Sequence, residues 1–184
     1  MARSALRQAG VTLAEMLTVT TILALGAAVA IPSASPLAAM ATDTATAEVT
    51  GAIRFAQREA VRTGAWHTVM IDTAAQTLRI YRLTAAGLED TTIPVLHPID
   101  KRPYALVFNT GAGPARATIT LVDFDYQGNS NMPTLSFDPD GTPGLLTSTK
   151  NNGVKAMTNG QVSIKSGASQ RTLAIDIVTG RVKG

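Results

Sequence analysis

The sequence predicts an α+β protein, with a long N-terminal hydrophobic helix followed by an antiparallel β-sheet or sandwich domain. Three observations predict it. An apolar run occupies residues 11–31, an alanine-rich stretch with helical spacing follows at 38–62, and from Trp66 onward short β-prone runs alternate with Gly, Pro, Asn and Asp clusters. The chain divides accordingly into residues 1–10, a helical part at 11–63 and a globular β domain at 64–184.

The first ten residues carry Arg3 and Arg7 and no acid. Basic residues stay on the cytoplasmic side of a membrane, so this end is expected inside and the remainder exported. The run of 21 residues that follows would extend about 30 Å as a helix, the thickness of a bilayer's hydrocarbon core. One charge interrupts it, Glu15. A carboxylate at the centre of a bilayer costs about 2.5–3.5 kcal/mol and less near an interface, which makes an intramembrane acid a functional hypothesis in need of a partner. The bland alternative is that Glu15 simply reaches the headgroup region.

Pro32 and Pro36 should kink or interrupt the helix. Beyond them, Val49, Ile53, Ala56 and Ala60 recur along one helical face, and Thr63-Gly64 is a natural stop. Arg54, Arg58 and Arg62 form an i, i+4, i+8 row elsewhere on the same helix, for which a solvated face is the ordinary reading. Strands are expected at 66–72, 77–83, 104–108, 117–122, 134–137, 161–165 and 171–178, the first two joined as a hairpin through residues 73–76. Residues 147–160 read as an inserted polar loop.

Composition bounds the chemistry. With no cysteine, an exported domain has neither disulfides nor thiolate metal sites and must be held by its core or by assembly. The two histidines, His67 and His97, lack zinc-ligand spacing. No G-x-S-x-G elbow exists, and the glycine-rich segment Asn109-Thr-Gly-Ala-Gly-Pro114 matches neither phosphate-binding pattern, so it reads as a loop. Asp138 and Asp140 in Asp-Pro-Asp-Gly141 resemble the opening of a calcium loop, yet a tight turn accounts for them. Asp123 and Asp125, flanking Phe124, are a second pair to weigh as cation ligands. No catalytic residue, metal or cofactor emerges.

The residues Gly10, Val11, Thr12, Leu13, Ala14 and Glu15, behind a short basic leader and with Ile31-Pro32 closing the apolar run, resemble the class III signal of type IV pilins and pseudopilins. Residues 1–10 are then a prepilin leader. The resemblance implies cleavage between Gly10 and Val11 by a prepilin peptidase, N-methylation at Val11, and retention of the helix. Most members carry phenylalanine where this chain has Val11. An ordinary secretory signal cut after Ala41 is the competing reading, disfavoured by the length of the run, by Glu15 and by the two prolines. Losing the leader removes Arg3 and Arg7, and the formal charge of +3 drops by two, so bulk charge argues little for nucleic acid.

The segments Arg54-Phe-Ala-Gln-Arg-Glu-Ala-Val-Arg-Thr-Gly64, Leu135-Ser-Phe-Asp-Pro-Asp-Gly141 and Leu173-Ala-Ile-Asp-Ile-Val-Thr-Gly-Arg-Val182 are similar to the helix end, the D-G turn and the final strand of the H-type minor pseudopilins and FimT-like minor pilins. That resemblance implies a non-catalytic minor subunit of a type II secretion or type IV pilus filament, assembled from the inner membrane with its C-terminal domain in the periplasm, and helping to initiate or cap the filament. Its implied partners are other pilins and the peptidase/N-methyltransferase. Glu15 would meet the N-terminal amine of a neighbouring subunit, and a paired buried charge can set axial register. In some FimT-like pilins a C-terminal G-R-x-R motif is implicated in DNA binding, and Arg181 and Lys183 occupy the matching places here, with Lys150, Lys155, Lys165 and Arg171 as further contributors. A solvated terminus is the simpler account of that cluster, and an exported, signal-anchored enzyme or binding domain is the third alternative.

Overall fold

A computed structural model describes residues 12–30, 35–110, 116–148 and 153–184. Helix α1 spans Leu13–Ala30 and helix α2 Ser35–Thr63; ten strands follow, β1 His67–Asp72, β2 Thr77–Arg82, β3 Ala105–Val107, β4 Thr118–Tyr126, β5 Asn129–Met132, β6 Thr134–Phe137, β7 Gly144–Ser148, β8 Gly153–Ser166, β9 Ser169–Ile175 and β10 Val182–Lys183. The chain divides into two compact units, one ending at Ser33 and the other running from Ala34 to the C-terminus.

In the first unit, α1 is apolar all round, without a polar face. Its threonines fold their hydroxyls onto its own backbone: Thr18 Oγ1 donates to Ala14 O at 2.8 Å, Thr20 Oγ1 to Met16 O at 2.9 Å and Thr21 Oγ1 to Leu17 O at 2.7 Å. Hydroxyls satisfied in this way can face an apolar environment. Among the described residues no helix is long and apolar enough to cross a membrane. The predicted run of 11–31 reaches beyond α1 at both ends, where Val11 and Ile31 lie outside the described residues.

The second unit is built on α2. Pro36 sits in its first turn, where its missing N–H costs no helical hydrogen bond. Gly64, at φ +63°, ends the helix in the left-handed conformation that glycine adopts without penalty. The predicted apolar face is the buried one: Val49, Ala52, Ile53, Ala56 and Ala60 are wholly inaccessible. Small residues along that face let the helix lie close to the strands, and burying Val49 or Ile53 contributes about 1.5–3 kcal/mol each.

Two antiparallel sheets meet this helix. One has the order β3-β2-β1-β6; the other runs β10-β9-β8-β4-β5, with β7 paired to β8 off that path. The β1–β2 hairpin pairs His67 with Arg82 through to Asp72 with Thr77, as expected from the sequence. Phe124, Phe137, Leu78, Leu135, Ile164 and Leu173 fill the core against α2. Thr68 and Ser136, both buried, share a hydroxyl hydrogen bond of 2.7 Å across β1 and β6.

The β domain departs from expectation in β5, which no expected strand covers, in the extension of β4 to Tyr126, and in three further places. Of the polar loop expected at 147–160, residues 147–148 and 153–160 are strand, in β7 and the first part of β8, with Gly144 opposite Ala156 and Leu146 opposite Val154, while 149–152 lie outside the described residues. β8 then runs on to Ser166 and pairs with both β4 and β9. Third, the strand expected at 171–178 stops at Ile175. Asp176 turns the chain by accepting hydrogen bonds from the N–H groups of Val178 at 3.1 Å and Thr179 at 2.9 Å, and β10 folds back so that Val182 pairs with Ile175.

Candidate functional site

Glu15 lies in the first turn of α1. Thr12 caps that turn: its carbonyl accepts from Glu15 and Met16 N–H at 3.1 Å, and its hydroxyl is 3.3 Å from Glu15 N. Thr12-Leu-Ala-Glu15 therefore has the threonine-to-glutamate spacing of a capping box, and a carboxylate there also complements the positive end of the helix dipole. This local role was not read from the sequence, although the T-x-x-E spacing displays it. The described side chains of α1 project outward, with Leu13, Leu17, Ile22 and Leu23 all about two-thirds exposed or more. Gly10 and Val11 lie outside the described residues.

At the far end of α2, Gln57 fastens two turns to the helix. Its Nε2 donates to Gly141 O at 2.8 Å and to Thr179 O at 2.7 Å, tying the Asp-Pro-Asp-Gly turn and the Thr-Gly turn to a single amide. Both turns place glycine in the left-handed region, Gly141 at φ +81° and Gly180 at φ +67°. Asp138 shapes the first turn by accepting from Asp140 N–H at 3.0 Å and Thr142 N–H at 2.7 Å. Asp138 is thus spent on the backbone, as in the tight-turn reading. Sequence reasoning missed Gln57; its signal was a polar residue four positions after Ile53 and three before Ala60, on the edge of the apolar stripe.

The second turn carries the C-terminal basic residues to α2. Arg181 and Lys183 on the β10 side, with Arg54, Gln57 and Arg58 on the helix, line an open groove of about 710 Å³. Lys183 Nζ lies 3.6 Å from Asp176 Oδ2, and both groups are exposed enough for solvent to weaken the pair. The turn's N–H groups hold the Asp176 carboxyl down to about 2. Three arginines and a lysine facing one space favour a negatively charged occupant.

The remaining predicted residues scatter. The arginine row splits, since Arg62 turns to Glu59 in a two-point ion pair and does not line the groove. Lys155 donates to Asn129 and Arg171 pairs with Asp43 at 3.0 Å. Neither lines the groove, nor does Lys165; Lys150 lies outside the described residues. The expected basic patch forms instead with α2, which no linear motif could indicate. Asp123 and Asp125 share the amide of Asn159, at 2.9 and 3.5 Å. Among the described residues no group of three or more His, Asp or Glu side chains is placed to hold a metal. His67 is buried, and its Nδ1 lies 2.9 Å from Ala65 O, which it can engage only as a donor. Burial pushes its pKa below the ordinary histidine value.

Residues 45–180 match the model of the family described as type II transport protein GspH. The crystal structure of the type IV minor pilin FimU from Pseudomonas aeruginosa is similar to this chain with a TM-score of 0.44 and 17% identity, over 77% of this chain and 86% of that one. No curated protein matches the chain.

Proposed function

The chain belongs to the GspH family of type IV pilin-like minor pseudopilins, and from that premise we propose that it is a non-catalytic filament subunit, inserted once in the inner membrane through its N-terminal helix and presenting its β domain on the periplasmic side. The leader is removed between Gly10 and Val11, Val11 is N-methylated, and the subunit takes its place at the start or tip of the filament, beside other pilins.

The observation that carries this reading is the outward apolar surface of α1. A helix apolar on every side, with Leu13 85% and Ile22 68% exposed, needs lipid or other helices to cover it. Lipid before assembly and neighbouring helices afterwards meet that need in turn. Glu15 then serves twice, capping its own helix and pairing with the Val11 amine of a neighbour. Glu15→Gln keeps side-chain length and hydrogen-bonding capacity but removes the charge. It should insert and be processed normally while entering filaments at least several-fold less, measured by immunoblot of sheared filaments; normal incorporation would refute the pairing. Replacing Gly10 with a bulky residue should leave precursor of unchanged mass in the membrane.

A second reading, nucleic-acid binding, draws support from the groove that joins Arg181 and Lys183 to Arg54 and Arg58. Phosphate contacts make such binding fall steeply with salt, by about 0.9 in log–log slope per contact. The full chain in detergent micelles should then shift duplex DNA at low salt, and Arg181→Ala with Lys183→Ala should reduce both affinity and slope. No shift at low salt would remove this reading and leave the filament role standing.

A further inference from the structure

A second cleft, of about 360 Å³, opens between the C-terminal end of α2, the adjoining ends of β1 and β2, and residues 93–101. It differs in character from the basic groove. Its lining includes the apolar Phe55, Ile93 and Leu96, the last two 50% and 44% exposed. Arg82, Lys101 and His67 line it as well.

With Glu59 paired to Arg62 and Asp90 to Arg82, the cleft keeps one cation in excess, Lys101. Glu59, its acid, is taken by Arg62 through both carboxylate oxygens. Arg82 Nε is buried and makes no hydrogen bond; Asp90 Oδ2 holds it only as an ion pair at 3.9 Å. The other oxygen of Asp90 accepts from the N–H and hydroxyl of Thr92. Lys101 is exposed, and among the described residues no ion pair involves it. His67 cannot supply an anion, and burial disfavours its charged form. Arg82, whose Nε makes no hydrogen bond within its ion pair, and Lys101, which has no ion pair among the described residues, thus line the same cleft as Phe55, Ile93 and Leu96. A carboxylate ligand would give the Arg82 guanidinium the hydrogen-bonded partner that Asp90 does not.

We propose that this cleft binds the C-terminal carboxylate of an apolar peptide tail. The carboxylate sits on Arg82 and Lys101, and the last apolar side chain packs on Phe55, Ile93 and Leu96. The volume, near the low end for small-ligand sites, holds one or two residues and not a polymer strand. A planar arginine fork suits a carboxylate, and capture of chain ends is an established mode of peptide recognition. The inference is independent of the filament reading.

The test uses the full chain in detergent micelles with isotope-labelled isoleucine and leucine methyls, titrated with acetyl-Leu-Phe as the free acid, with its C-terminal amide, and with inorganic phosphate. The free acid should shift Ile93 and Leu96 saturably in the millimolar range, and the amide should bind about tenfold more weakly or worse, a difference of about 1.4 kcal/mol. Phosphate should give no saturable shift. Arg82→Gln should remove most of the preference for acid over amide. Lys101→Gln, at an exposed side chain that leaves folding intact, should weaken the acid several-fold, and Arg58→Gln in the other groove should change neither ligand. Equal binding of acid and amide, phosphate binding as tight as the peptide's, unchanged acid affinity in Lys101→Gln, or no saturable shift up to about 10 mM would each overturn the proposal.

Discussion

Gly180 is the tightest point of the C-terminal turn, and Gly180→Ala tests whether that turn holds β10 and its basic residues against α2. Two costs add. At φ +67° an L side chain is strained, by about 1–2 kcal/mol. The new Cβ would also lie 2.6 Å from Phe137 Cε1 and 2.9 Å from Gln57 Nε2. Phe137 is wholly buried and cannot retreat without disturbing the core, so overpacking adds about 1–3 kcal/mol. The expected loss of about 2–5 kcal/mol is a large fraction of the 5–15 kcal/mol typical of a domain. Urea unfolding of the full chain in micelles, followed by the fluorescence of Trp66, should show the midpoint falling by about 1–3 M. Gly51→Ala is the control: it lies inside α2 with nothing within 4 Å of an added Cβ, and should gain about 0.5–1 kcal/mol. Gly180→Asn, which tolerates the backbone conformation, should still suffer the clash. A loss below about 1 kcal/mol for Gly180→Ala would refute the reasoning.

Gln57→Ala should cost about 1–3 kcal/mol by chemical unfolding, because two carbonyls lose their donor, and it should also weaken any ligand of the basic groove by loosening Arg181. Thr68→Val and Ser136→Ala should each destabilise by about 1–3 kcal/mol in the same assay, whereas the double variant should cost less than their sum, since neither buried hydroxyl is then left alone. His67 confers pH dependence of a definite sign. Its folded pKa is depressed below 6.5, chiefly by burial, so the unfolded chain takes up the proton first as pH falls. Stability is complete above pH 6.5 and declines as pH drops through it, and His67→Gln should flatten that slope in unfolding curves across the range. Asp176 acts lower down: its contribution is intact above its ordinary value of 3.8 and disappears as pH falls toward about 2, visible as loss of amide protection at Val178 and Thr179.

Periodicity made much of this fold legible. The spacing of Val49, Ile53, Ala56 and Ala60 identified the buried face of α2, and the β1–β2 hairpin followed from two β-prone runs around a short polar turn. Strands β7 and the first part of β8 were not legible, because Gly153 to Gly160 lacks apolar alternation and becomes a strand through its pairing with Gly144, Leu145 and Leu146. Local propensity is weak in such segments, and cross-strand partners decide. The segment 176–178 reads as strand for the opposite reason. Its isoleucine and valine favour extension, yet Asp176 captures two backbone N–H groups and reverses the chain.

The candidate site divides in the same way. The acid at Glu15, the basic ending at Arg181 and Lys183, the glycines of the two turns and the helical stripe of α2 are properties of residue type and spacing, so the sequence alone determined the class of fold and the residues worth testing. Three things were decided only by tertiary structure. Gln57 meets Gly141 and Thr179 across 84 and 122 residues. Arg54 and Arg58 join the C-terminus, while Lys155 and Arg171 are drawn to other partners. Arg82 and Lys101 come to line one cleft with Phe55, Ile93 and Leu96. Local interactions repeat at the period of the helix or strand and can be read along the chain, whereas these contacts depend on which side chains the packing of α2 on two sheets leaves facing the same space.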